Sequence, residues 1–471
     1  MRARLILGWL VVLTMVAAIG YAQTPPASMP GSAAPGTPGS APTLPPRPLS
    51  LAEALETARA SNPAYLTAVS DRSPAASQSL SSAVTLFTPS VNVQGGGGWN
   101  QKGNYSLQGL SFDTPRGDAS QWQVNFGYTL SGTTIANRGS AAAQLRAADQ
   151  TIASQRTILE TSVEREYINL LEARAQADLA QHEVARAQEL LNLAQAQYNV
   201  GQKTIIDVKQ AQVTKGNADV ALLQAQQNVQ TEVLTVYQLM GVPAPVGVEV
   251  VPTDTFPVTQ PAWSQDTLVA LALAENPVLT ALRARAEGAR WNTRAAYSTY
   301  LPTLRLSASY GKYRQTTWEQ ANQNGIPVGP DTIVVHTTGI NPPWNFQIML
   351  SLPIFDAFSR NAQISQMRAN ERDLQLSIRA QELTVRANVG AAYLALVTAY
   401  RTIAVQANNR AAADDALSLA EEQYRVGSGS IIQLNDAQIA SEQAGVSYVN
   451  AVYNYHKAVA ALEQAVGQPL R

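Results

Sequence analysis

Two stretches of this chain alternate between apolar and polar residues. Trp122, Val124, Phe126, Tyr128 and Leu130 are apolar, and Gln123, Asn125, Gly127 and Thr129 lie between them. Trp344, Phe346, Ile348, Leu350 and Leu352 repeat the pattern around Asn345, Gln347, Met349 and Ser351. Successive side chains of a strand point to opposite faces, so each stretch predicts a strand with one apolar and one mostly polar face. Each has an upstream partner: Val91-Asn92-Val93-Gln94 running into Gly95 to Gly98, and Leu304 to Tyr310. Polar, Gly-containing stretches at roughly 101–120 and 312–342 separate the partners, so the chain predicts two hairpins with long loops, at about 88–131 and 302–353. Trp99, Trp122, Tyr310, Tyr313 and Trp344 fall near strand ends or edges, where interfacial aromatics gather. A soluble half-buried sheet would show the same alternation. The segments also match the about 9–11 residues of a bilayer-spanning strand. Four strands cannot close alone, and an open edge cannot face lipid. If these strands span a membrane, several chains share one barrel.

The rest of the chain reads as helix. Asn137 to Val200 contains no proline and only Gly139, and Ser359 to Val426 contains no proline and only Gly390. At ~1.5 Å per residue these helices would be roughly 95–100 Å long. Helices of that length need lateral partners. Pro63 to Leu86 and Ile205 to Met240 together nearly match the first in length, and Pro277 to Tyr300 and Gln433 to Gly467 nearly match the second. Two short helices stacked end to end are therefore expected beside each long one. Asn62 and Asn276 suit N-caps, Pro63 and Pro277 suit first helical positions, and Gly201 and Gly427 suit helix-ending turns. Pro74, with Gly288 in the matching place, predicts a shared bend.

These parts occur twice. Asn62-Pro63 recurs as Asn276-Pro277, and Tyr198-Asn199-Val200-Gly201 as Tyr424-Arg425-Val426-Gly427. Thr204-Ile205-Ile206 recurs as Ser430-Ile431-Ile432, and Leu239-Met240-Gly241-Val242-Pro243 loosely as Ala465-Val466-Gly467-Gln468-Pro469. A unit this long is a duplicated domain, not a solenoid repeat. The two structural repeats are expected at 49–243 and 266–471, joined by 244–265.

Composition narrows the class. Arg2 and Arg4, the apolar run Leu5 to Ile19 and Gly20-Tyr21-Ala22 read as a signal peptide, 1–22, cleaved after Ala22. Residues 23–48, rich in Pro, Gly, Ser, Ala and Thr, read as a flexible leader. The chain has no cysteine, which excludes a lipoprotein anchor and disulfides, and its net charge of −1 does not suggest nucleic acid. His182, His336 and His456 are scattered without metal-ligand spacing, and no phosphate loop or nucleophile motif is present. An enzyme, a metal site and a cofactor are therefore not expected.

In this doubled order of motifs the chain resembles the TolC-like outer-membrane efflux protein family over about residues 49–469. The resemblance rests on the Leu-rich segments before Asn62-Pro63 and Asn276-Pro277, on Pro89 and Pro302 ahead of strands, and on the Tyr-x-Val-Gly turns. Leu352-Pro353-Ile354-Phe355-Asp356 comes close to the family's Leu-Pro-Leu-Phe-Asp, whereas Ser131-Gly132-Thr133-Thr134 departs from it. The family implies an α+β membrane protein: a homotrimer whose four strands per chain make a twelve-stranded outer-membrane barrel, continuous with a hollow periplasmic cylinder of helices. The segment 242–265 and the C-terminus would form a belt around that cylinder.

The resemblance also implies a gate at the tip far from the membrane. By motif position Asp207 is the carboxylate of the first turn, Tyr424 the tyrosine that contacts it, and Asp436 one of two aspartates lining the constriction. Gln433 stands where the other aspartate is often found and Gly429 where an arginine is often found, so a looser gate is expected. Helix-dipole stabilisation alone would also explain Asp207 and Asp436. Val200, Gly201, Thr204, Val426, Gly427 and Ser430 would dock a periplasmic adaptor, with an inner-membrane pump completing the assembly, or would simply cap helices. The function implied is the outer-membrane exit duct of a tripartite efflux or type I secretion system. A trimeric coiled-coil adhesin or structural protein is the alternative; a stand-alone porin would need many more strands.

Overall fold

The computed structural model describes residues 46–101, 103–107, 110–114, 116–245, 247–319, 322–323, 326–327, 333–337 and 344–470. The signal segment and the leader as far as Pro45 lie outside the described residues. The first repeat contains β1 (Arg47–Leu49), α1 (Leu51–Ser61), α2 (Pro63–Ser70), α3 (Arg72–Val84), β2 (Ser90–Asn100), β3 (Gly103–Leu107), β4 (Leu110–Thr114), β5 (Arg116–Leu130), α4 (Gly132–Asn199) and α5 (Ile205–Met240). The connection carries β6 (Val250–Pro252). The second repeat contains α6 (Gln265–Glu275), α7 (Pro277–Ser298), β7 (Thr303–Glu319), β8 (Asn322–Gln323), β9 (Ile326–Pro327), β10 (Ile333–Thr337), β11 (Trp344–Ser351), α8 (Ser359–Arg425) and α9 (Ile431–Val466).

Both hairpins form, and they join. β2 pairs antiparallel with β5, β5 with β7, and β7 with β11, while β10 continues along the same side of β7 beyond β11. Register places Val91, Phe126, Ala308 and Phe346 in one row across the sheet, and Val93, Val124, Tyr310 and Trp344 in another. Directly paired residues share a face, so one face is apolar. Asn92, Asn125, Ser309 and Asn345 form the polar row between them. Phe346, Ile348 and Leu350 are each more than 60% exposed. No single helix among the described residues is long and apolar enough to cross a membrane; the sheet supplies the apolar surface instead. Tyr313 does not join the aromatic positions expected there. It pairs with Gln121 on the polar face, where its hydroxyl donates to Gln315, because an odd offset from Tyr310 reverses the face.

The stacked short helices meet at the Asn-Pro motifs. Asn62 caps α2 by accepting from the Tyr65 amide at 3.1 Å, while its Nδ2 donates to the Leu239 carbonyl near the end of α5 at 2.8 Å. Asn276 does the same for α7 and α9, accepting from Val278 and donating to Ala465 at 3.3 Å. One side chain thus satisfies a donor at one helix start and an acceptor at the other helix end. Gly241 and Gly467 close those ends with φ of 75° and 95°, and a Cβ on Gly241 would lie 2.5 Å from the Ser61 carbonyl oxygen. The joint has room for glycine alone.

Several boundaries differ from expectation, three of them for identifiable reasons. α4 begins at Gly132, five residues earlier than expected, because Ser131 Oγ accepts from the Thr134 amide at 3.2 Å. Ser131 thus does by a simple cap what Asp356 does for α8, where its carboxylate accepts from the Arg360 amide at 2.9 Å. α9 begins at Ile431 rather than Gln433, with Ser430 as its cap. Arg47 and Pro48, counted with the leader, pair in parallel with Val250 and Val251.

The shared bend is absent. The first helix breaks at Asp71, and Pro74 occupies the third position of α3, where a missing amide costs no helical bond. α7 passes unbroken through Gly288, which lies against Ala143 of α4. Gly139 has a stricter reason: a Cβ there would meet the Trp291 ring of α7 at 2.3 Å. Gly139→Ala is expected to destabilise the protein by about 1–3 kcal/mol, despite alanine's better helix propensity. Thermal unfolding tests this, and an unchanged midpoint would mean that Trp291 swings aside.

The connection is tied to both repeats. The Tyr167 hydroxyl lies 2.8 Å from the Leu49 carbonyl oxygen and 2.7 Å from Asp254 Oδ2, and accepts from the Thr253 amide at 3.2 Å. Tyr455 donates to the Thr259 carbonyl at 2.6 Å.

Farther along α5, Glu232 faces Glu166 of α4. A hydrogen bond shared with Glu166, then burial, then the charges of Glu166 and Glu172 push the Glu232 carboxyl up to about 7, against the pull of Lys457. A carboxyl raised on folding contributes its full stabilisation below its unfolded value near 4.5 and loses it as pH rises through 7. Glu232→Gln is therefore expected to raise the unfolding midpoint at about pH 8 and to leave it nearly unchanged at about pH 4. Equal shifts at both values would rule out the carboxyl pair as the cause.

Candidate functional site

The end of the helices farthest from the sheet consists of two equivalent turns. α4 closes through Val200 and Gly201 (φ 71°), and α8 through Val426 and Gly427 (φ 84°). The following helices open with matching capping boxes. The Thr204 amide donates to Asp207 Oδ2 at 2.9 Å, and the Ser430 amide donates to Gln433 Oε1 at 3.2 Å. Asp207 and Gln433 occupy the same place in the two repeats, and both are caps. Burial pushes the Asp207 carboxyl up, but the Thr204 hydroxyl, the Thr204 amide and nearby Lys203 together outweigh it, so its pKa lies below the ordinary carboxylate value.

Between the turns lies a small core of Leu190, Ala194, Val208, Ala211, Leu417, Tyr424, Ile431 and Leu434, drawn from both repeats. Tyr424 is fully buried in it, and its hydroxyl has no hydrogen-bond partner among the described residues. Burial, then the charge of Asp207, pushes that hydroxyl up to about 12. The tyrosine and the carboxylate are thus neighbours coupled by charge, without a hydrogen bond between them.

Two side chains absent from the expected set tie the turns together. Lys203 Nζ donates to the Gly429 carbonyl at 2.9 Å and sits 4.6 Å from the centre of the Tyr424 ring. Gln197 Nε2 donates to the Arg425 carbonyl at 3.2 Å. Lys203 and Gly429 are the same position in the two repeats, so the first turn supplies a cation where the second has none. A Cβ on Gly429 would come within 3.0 Å of the Tyr424 amide nitrogen, which leaves no easy room for a larger residue. The signal for Lys203 was in the sequence: it lies one residue before the Thr204 cap.

The other expected residues lie apart from this cluster. Asp436 is exposed on the second turn of α9, in a cleft shared with Gln210 and Thr214 of α5. Gln433 is exposed beside its cap. Val200 and Val426 are 70% and 68% exposed, and Ile206 and Ile432 on the first turns of α5 and α9 are exposed as well. On the sheet, Trp122, Tyr310 and Trp344 pack across three strands, the first pair edge to face with ring centres 5.6 Å apart and the second tilted at 4.8 Å. Trp99 stands two rows farther out, opposite Asp118. Among the described residues no group of His, Cys, Asp and Glu could hold a metal ion.

This arrangement has close parallels. Residues 54–242 and 268–468, the two repeats, match the family described as Outer membrane efflux protein. The outer membrane protein TolC of Vibrio cholerae is 25% identical over 424 residues, covering 88% of this chain and 90% of that protein. The outer membrane efflux protein BepC of Brucella suis is 25% identical over 305 residues, and the match spans 64% of this chain and 61% of BepC. In fold, the chain superposes on the outer membrane protein VceC of Vibrio cholerae with a TM-score of 0.72 at 17% identity, covering 89% of this chain and 97% of VceC.

Proposed function

Because the chain belongs to the outer membrane efflux protein family, outer-membrane channels with a periplasmic helical extension rather than enzymes, we propose that it is the exit duct of a tripartite efflux or secretion system. Proteins of this family form trimers that work with adaptor proteins and inner-membrane pumps. Three copies would supply twelve strands, and the free edges β2 and β11 would pair between neighbouring copies. The observation that carries the reading is the sheet itself. It has one apolar exposed face, one polar face and two open edges, and it is joined to helices of 68 and 67 residues. With polar residues on the inner face, such a barrel encloses a water-filled lumen. A coiled-coil adhesin would have no use for that lumen.

The tip is the gate in this reading. Lys203, Gln197 and Tyr424 hold the two turns of one copy together and Asp207 caps the first of them, while Gln433 and Asp436 face the constriction. The adaptor would dock on Val200, Gly201, Thr204, Val426, Gly427 and Ser430, where small residues and an exposed apolar surface allow a partner helix to come close. The test is conductance of the purified trimer in planar bilayers. Defined channel steps are expected, and a folded trimer that passes no current would favour the adhesin.

A further inference from the structure

The outward face of β7 changes character abruptly. Its positions run Leu304, Leu306, Ala308 and Tyr310, then Lys312 and Arg314. Trp122 of β5 stands opposite Lys312, and Ser120 opposite Arg314, so Lys312 lies level with Trp122 and one row beyond Tyr310 and Trp344, and Arg314 lies one row farther. Arg116 shares this face and lies 5.1 Å over the Trp318 ring. Lys312 and Arg314 are exposed. β5 pairs with β7 through both positions, while on the other side β11 reaches Tyr310 and β10 begins at Gln315. Strand pairing runs in the plane of the sheet and side chains stand out of it, so pairing of the sheet edges with neighbouring copies leaves these two uncovered.

Height agrees with the chemistry. Lys312 lies nine residues beyond Thr303, where β7 leaves the helical end. At ~3.3 Å per residue and a tilt of about 40°, that is roughly 23 Å, close to the top of an apolar band about 25 Å tall. Cations at that level have long apolar stems to lay along the band and heads to place among headgroups. They cannot line the lumen, because the polar row of Asn125, Ser309 and Asn345 occupies the opposite face. Asp118 is the only carboxylate that register places on this outward face among the described residues of the sheet, and it pairs with Thr316, one row past Arg314. The face keeps a net positive charge.

We propose that Lys312 and Arg314 bind the phosphate groups of outer-leaflet lipid and fix the barrel against that leaflet. The proposal rests on the outer-membrane channel reading, so conductance of the wild-type trimer is established first. That trimer is then placed in phosphatidylcholine bilayers containing either phosphorylated lipid A or the same lipid dephosphorylated. Retained lipid is counted by native mass spectrometry, and thermal dissociation of the trimer is followed in parallel. The phosphorylated lipid should be retained and should raise the dissociation temperature, whereas the dephosphorylated lipid should do neither. Lys312→Ser with Arg314→Ser should weaken retention on the order of 30-fold, while Arg305→Ser on the polar face should leave it unchanged. Equal retention of the two lipids, or a double variant that retains lipid like the wild type, would overturn the proposal while leaving the channel intact. If the double variant fails to assemble, the comparison of the two lipids on wild-type protein decides.

Discussion

Lys203→Ala is expected to open the tip. The side chain combines a charge-assisted hydrogen bond to the Gly429 carbonyl with a cation–π contact to Tyr424, and it reaches from one repeat to the other. The two contacts at a half-buried site contribute about 2 kcal/mol per copy. That corresponds to a shift on the order of 30-fold in the equilibrium between closed and open turns. Gln197 remains to hold the Arg425 carbonyl, so the turns should loosen without unfolding. Wild-type channels should show small, brief but defined steps, and Lys203→Ala channels should show larger conductance and longer openings. Amide hydrogens in both turns should exchange faster. Lys203→Arg, which keeps the charge and a donor, should restore much of the closed state. Conductance and exchange matching the wild type would show that the closed tip does not depend on this lysine.

Asp436→Ala is expected to act on the ions that pass and not on the stability of the tip. If the second turn of α9 faces the threefold axis, three like charges meet in a narrow passage, where a low-dielectric wall strengthens their field. The wild-type channel should prefer cations and be blocked by divalent cations from the periplasmic side. Removing the ring should weaken that block on the order of tenfold or more and reduce the cation preference. Asp207→Asn is the contrast. It weakens the capping box of α5, which costs roughly 1 kcal/mol, and should loosen the first turn with little change in selectivity. If Asp436→Ala keeps both the block and the preference, the constriction lies elsewhere. If Asp207→Asn abolishes them, the roles of the two carboxylates are exchanged.

Much of this arrangement was legible in the amino-acid order because it follows from local rules. The period of two in Trp122 to Leu130 and Trp344 to Leu352 is a property of extended backbone, and it set both strand identity and face. α5 spans Ile205–Met240 as the sequence indicated, since Thr204 and Gly241 mark its ends by capping chemistry that needs no distant partner. The same period of two should have placed Tyr313 on the polar face. The bend at Pro74 failed for another reason: a proline in the first turn of a helix is compatible with an unbroken helix, and the sequence alone did not mark Asp71 as the start of a new one.

Other features depend on what one repeat presents to the other. Tyr198 and Tyr424 are the same residue at the same position in the duplication, yet Tyr198 is 40% exposed and Tyr424 is fully buried. Lys203 and Gly429 are likewise equivalent positions, and one bonds to the carbonyl of the other. No local rule separates such pairs, because each member has nearly the same neighbours along the chain. Gly139 is similar: its need for hydrogen in place of a side chain comes from Trp291, which lies far away in sequence. The sequence by itself determined the elements, their doubling and the face each strand presents, because those depend on backbone geometry and capping within a few residues. The tertiary structure decided which copy of each repeated residue is buried, which cation closes the tip and where a glycine is required, because those depend on contacts between segments that only folding brings together.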